Sequence, residues 1–220
     1  MTKPRSKKAL YIGLPLALAT GGSLWFLGGF ASDKTGIYTG MADPKKAAQM
    51  LKDAGYDGTP IVIMKPTDLA SIQKLPDVAA QLLRQAGFKV DLQAMDWQTL
   101  VGRRAKKDAP DKGGWHMFLT AWQTFDVWSP IANPTMDTRG EKSGWFGWAS
   151  DDKMITIRNE FMRATDDGQK KKLAEQLHAR AFEVATHVPL GEYMQPMAAR
   201  KNISGFFVSN GNIYWNLKKQ

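Results

Sequence analysis

The sequence predicts an α/β protein with a parallel βαβαβ core, preceded by one transmembrane helix. Three observations carry this reading. Short segments at 61–64, 88–95 and 115–121 are apolar or alternate with period two, and helical patterns separate them, the order of right-handed βαβ units. Residues 9–31, ALYIGLPLALATGGSLWFLGGFA, run for 23 residues without a charge. Lys3, Arg5, Lys7 and Lys8 stand before that run, with no acid among them.

As a helix the apolar run would be about 34 Å long at ~1.5 Å per residue, enough for a hydrocarbon core of ~30 Å. The basic residues before it predict a cytoplasmic tail at 1–8 and export of the chain beyond the run. The expected organisation is therefore tail 1–8, anchor 9–31, tether 32–42 and a periplasmic domain at 43–220, in a bacterial inner membrane. An uncleaved signal fits the same pattern. A cleaved signal peptide is the rival, with small-residue sites at Ala17-Leu18-Ala19 and Gly29-Phe30-Ala31. A buried core helix suits the run less well, because neither end turns amphipathic.

Asp43-Pro44 reads as cap and first residue of a helix, closed by Gly55. Tyr56-Asp57-Gly58-Thr59-Pro60 is turn chemistry, and Ile61-Val62-Ile63-Met64 is a strand buried on both faces. A loop, with one helical turn at most, fills 68–74. Pro76 opens a second helix closed by Gly87, and Phe88 to Met95 alternates as a strand. Asp96 caps a third helix, and Trp115 to Ala121 forms the third strand. Ser150 caps a helix to about Ala164, and Asp166 or Asp167 starts another to about Thr186. HVPLGEYM and IYWNL supply two last strands. The expected core is Ile61, Ile63, Leu82, Leu83, Val90, Leu92, Phe118 and Leu119.

The chain has no cysteine, hence no disulfide and no thiolate metal site. Its formal charge of +9 owes four to the first eight residues, and the remaining basic residues are scattered without a recognition motif, which argues against nucleic-acid binding. A weak attraction to anionic headgroups or acidic partners remains in keeping with the charge. His116, His178 and His187 are too dispersed for a metal site, and each is expected to be structural. Neither a phosphate loop nor a nucleophile elbow is present, so no enzyme and no cofactor are expected. Asp151-Asp152 and Asp166-Asp167 sit at helix starts, where the dipole accounts for them.

One stretch reads as a site. Trp115, Trp122, Trp128, Trp145 and Trp148 fall within 34 residues, around a single acid, Asp126, up to Asp137, and the steps Ser129-Pro130 and Asn133-Pro134. Tryptophan joins a large apolar face to one donor and suits pockets and interfaces. Rings that simply fill the core are the alternative reading.

From Asp43 to Lys218 the sequence resembles the C-terminal part of the family 5 extracellular solute-binding proteins, the dipeptide, oligopeptide and nickel binders of ABC importers. The stretches that carry the resemblance are DPKKAAQMLKDAGYDGTPIVIM, VAAQLLRQAGFKVDLQAMDWQTLVGRRA, KGGWHMFLTAW, WFGWASD and VPLGEYMQPMAARKNISGF. The resemblance implies a lobe of a periplasmic-binding-protein-like fold. It also implies that Asp126, with Trp122 before it and Pro130 after it, pairs with the free amino group of a bound peptide. Family members are longer and close two lobes over the ligand, whereas here a membrane segment stands where the first part is expected. The leading expectation is thus a non-catalytic, membrane-anchored accessory subunit of a larger membrane complex, with Trp122, Trp128, Trp145 and Trp148 as interface candidates. Two alternatives are a peptide-binding importer component, acting weakly or with a separate second lobe, and a gene remnant without function.

Overall fold

The computed structural model describes residues 43–191, 193, 198–207 and 213–220. The expected anchor at 9–31 lies outside them, as do the tail and the tether; no described helix is long and apolar enough to cross a membrane. Two compact units are distinguished, Ala42–Ala121 and one that holds Trp122–Gln220.

The first unit is built on a three-stranded parallel sheet. Helix α1, Pro44–Asp53, is capped by Asp43, whose carboxylate accepts from the Lys45 and Lys46 amides. Strand β1, Ile61–Pro66, is followed by α2, Leu75–Gln85, then β2, Val90–Met95, and α3, Trp97–Arg103. Strand β3 is only Met117–Phe118. The order is β2-β1-β3, with β1 parallel to both neighbours and in register Ile63↔Leu92 and Ile63↔Met117. Central β1 is the best buried, with Ile63 and Met64 fully enclosed.

The pattern predicts seven residues in the third strand, and the structure keeps two. His116 supplies the reason: its backbone amide donates to Val62 O and its Nδ1 accepts from the Val62 amide, so a side chain replaces part of the ladder. Arg103, at the end of α3, donates to the Gly113 and Gly114 carbonyls of the loop that follows and to Gln93 Oε1 of β2. A Cβ on Gly114 would sit 1.8 Å from Asp108 O, so this close approach admits only glycine.

The core of this unit joins Ile63, Ala80 and Leu119 to Ile61, Leu83, Val90 and Leu92; all but Ala80 are residues the pattern predicts. Leu82 is a correction. It is 50% exposed, because adjacent helical positions lie about 100° apart and Leu83 takes the inward one. Phe118 is half-buried, its ring edge-on to Trp115 at 5.0 Å.

The second unit is centred on two helices, α4, Asp152–Arg163, and α5, Asp167–Val184. Asp151, not Ser150, caps α4 by accepting from the Met154 amide; Ser150 instead forms a bridge with Arg139. Asp151 also receives a two-pronged ion pair from Arg180 of α5, 2.6 Å at its closest, and this pairing holds its carboxyl below the usual range. Asp166 caps α5, and Ala185 ends it in the left-handed region at φ +51°. Met154, Ile157 and Phe161 pack against Leu173, Ala174, Leu177 and Ala181.

The chain ends in a two-stranded antiparallel hairpin, β4, Ile203–Ser204, and β5, Lys218–Lys219. This differs from the expected strands. No strand forms at 213–217, where a turn is closed by the Leu217 amide on Tyr214 O, nor at 187–191. The rest of HVPLGEYM, apart from Tyr193, lies outside the described residues.

Candidate ligand-binding and interface site

The stretch that leads into α4 is irregular but tightly organised. A short 3-10 turn, Thr124–Val127, places Asp126 in solvent and Val127 in the interior. Asn133, 2% exposed, caps the next turn, Pro134–Met136, by accepting from the Thr135 amide and hydroxyl. Met136 and Ile131 then enter the core formed by α4 and α5. Buried Thr138 donates to Asp151 O, and Asp137 is held below its usual range by Arg139 and Arg158. Proline, asparagine and aspartate thus convert a stretch without periodicity into successive capped turns.

Three of the aromatic rings meet. Trp122 and Trp145 lie 5.4 Å apart at 58°, and Trp145 lies 5.4 Å from Phe146 at 55°. Such tilted pairs contribute ~0.5–1.5 kcal/mol beyond area burial. Phe146 escapes the sequence reading, although it directly follows Trp145. Trp122 is half-buried, and its Nε1 is enclosed without a hydrogen-bond acceptor. Trp148 is half-buried and takes φ +48° just after Gly147 at +101°, with its amide donating to Trp145 O. A bulky residue in the left-handed region stores roughly 1–3 kcal/mol of strain. Trp128 is 47% exposed. Trp115 belongs to the other unit, where its indole donates to Arg104 O.

Of the residues singled out from sequence, the structure brings Trp122 and Trp145 together, and it leaves Asp126 and Trp128 facing water. An exposed carboxylate can attract an ammonium group, but water screens the pair to ~0–1 kcal/mol. Among the described residues no cluster of three or more potential metal ligands occurs.

Residues 19–144 match the bacterial extracellular solute-binding proteins, family 5 Middle. The chain belongs to this family. The family 5 match takes in part of the apolar run as well as the βαβ unit and most of the tryptophan-rich stretch. A probable peptide ABC transporter periplasmic-binding protein of Sinorhizobium fredii, y4tO, is 32% identical over 187 residues, which are 85% of this chain and 35% of that protein. The glutathione-binding protein GsiB of Pectobacterium atrosepticum is 27% identical over 78% of this chain and 34% of its own length. The chain therefore spans about a third of the curated relatives it matches. Among solved structures, the putative peptide binding protein AppA of Clostridium difficile superposes with a TM-score of 0.67 at 14% identity, over 91% of this chain and 43% of that one. Haemophilus influenzae OppA, in complex with RPPGFSPFR, gives 0.65 at 17%, over 83% and 36%. At such identities these structures speak for the fold, a periplasmic-binding-protein-like arrangement of parallel sheet and helices. The family is one of solute-binding proteins, not of enzymes.

Proposed function

We propose that this family 5 chain acts as a non-catalytic, membrane-anchored periplasmic subunit of a larger membrane complex, and not as a free peptide receptor. The observation that carries the proposal is the exposure of Asp126 on its 3-10 turn. The family resemblance gives this carboxylate the capture of a peptide amino group, and capture of that kind needs a desolvated, well-partnered carboxylate. Here the carboxylate is in water. The uncharged run at 9–31 behind four basic residues supplies the anchor in this reading. Exposed Trp128 supplies a contact for a neighbouring subunit.

One observation favours a second reading, in which the chain binds peptides as an importer component. The enclosed Trp122 Nε1 is a donor without an acceptor, and a peptide carbonyl would satisfy it once the ring turned to the surface. Purification of the tagged full chain from detergent-solubilised membranes, with peptide titration of the product, separates the two. The proposal expects integral membrane proteins to co-elute in fixed ratio and no peptide to bind more tightly than about 1 μM. Tighter binding that Asp126→Ala abolishes, from a chain that elutes alone, would establish the importer reading instead.

A further inference from the structure

The C-terminal hairpin carries aromatic rings that the described residues leave uncovered. Trp215 is 86% exposed, Tyr214 60%, Phe207 46% and Phe206 38%. The hairpin backbone brings the two pairs together. Gly205 comes directly after β4 at φ +84°, and a Cβ there would lie 2.0 Å from Asn216 O, while Asn216 Nδ2 donates to Gly205 O. Phe206-Phe207 and Tyr214-Trp215 therefore flank one close backbone contact. At its other end the register Ile203↔Lys219 and Ser204↔Lys218 brings exposed Lys218 and Lys219 beside the strand that Arg200 and Lys201 lead into.

The charge of the whole chain points to the same place. The last acidic residue is Glu192, so residues 193–220 hold four basic residues and no acid. Four more basic residues stand in the first eight, and the net charge of everything between is only +1. An uncovered aromatic surface with cations of one sign attracts an acidic surface but carries no charge of the other sign to fix one docking register. A lipid surface asks only for the sign of the charge, and indole and phenol rings settle at its headgroup level.

We infer that the paired segments 200–207 and 213–219 dock on an anionic lipid surface, with Trp215 entering the headgroup layer and Lys218 and Lys219 facing the phosphates. The inference stands on the hairpin alone and holds whether or not residues 9–31 cross the bilayer. The absence of cysteine allows a single nitroxide at Tyr214→Cys in the full chain, reconstituted in vesicles of phosphatidylcholine with or without phosphatidylglycerol. Collision of the label with a water-soluble nickel chelate is the readout. Anionic vesicles should hold the segment about fivefold or more tightly than neutral ones, the factor expected for one cation near the surface, and the collision should fall accordingly. The protection should vanish in K218E/K219E, in W215A and in high salt, where screening shortens to ~3 Å at 1 M. Trp215 is so exposed that its removal leaves the fold intact. Equal collision rates in the two lipids would overturn the inference. So would parallel protection of a control label at exposed Val78, or protection in native membranes but not in protein-free anionic vesicles, which would assign the surface to an acidic protein partner.

Discussion

His178 lies in α5 with 1% exposure and no hydrogen-bond partner on either ring nitrogen. Burial pushes its pKa down to about 4, and His187, whose Nδ1 lies 3.0 Å from Thr186 Oγ1, adds to the effect. The unfolded imidazole protonates near its ordinary 6.5, well before the folded one. The buried neutral ring therefore contributes its full stability above pH 6.5. That contribution is lost progressively as the pH falls towards 4, on the order of 3 kcal/mol at ~1.4 kcal/mol per pH unit. His178→Leu, of similar volume and with no polar atom to leave unpaired, should hold stability near neutrality and flatten this part of the acid limb. Urea midpoints at pH 7, 5.5 and 4.5 check it: an unchanged slope would place the titration elsewhere. Sequence alone marks all three histidines as structural. His116 shows such a role, in a form that spacing could not reveal, because its ring bonds to a backbone amide 54 positions away.

At the scale of elements, caps and stops are the legible part. Asp43, Asp96 and Asp166 each begin a helix with the expected side-chain bond, and Gly55 and Gly87 stand just past their helices at positive φ. All three strands are parallel, as βαβ units require, but only β1 passes through its helix to a neighbour; the connection from β2 through α3 crosses past β1 to reach β3. What local pattern could not settle is which of two adjacent leucines turns inward, or that a histidine ring would shorten β3. Aromatic IYWNL suggests a strand because such residues favour sheets, yet propensity without a partner strand forms none. Leu83→Ala should destabilise by about 2 kcal/mol, whereas Leu82→Ala should stay within ~0.5 kcal/mol. Denaturant titration of the two variants tests the assignment; equal losses would mean that α2 faces the sheet differently.

At the scale of the molecule, the wording and order of the motifs identify the family, because several loose matches in fixed succession are far more restrictive than any one. The site is less legible. Composition shows many tryptophans near Asp126 but cannot say that Trp122 would meet Trp145, or that the turn capped by Asn133 would lead Met136 and Ile131 into the helix core. The double role of Asp151 has a consequence for how this unit opens. One carboxylate closes the first turn of α4 and grips Arg180 more than three turns into α5, at ~3.6 residues per turn. Neither helix can fray at that junction without breaking the ion pair that ties it to the other, which leaves Arg180 only Glu183 of its own helix. Amide hydrogens of Met154–Phe161 and Leu173–Ala181 should consequently exchange with one shared opening free energy, as a single cooperative block. In Asp151→Asn, which keeps an oxygen acceptor for the cap but gives up the charge, the amides should separate into two classes, those of α4 exchanging first.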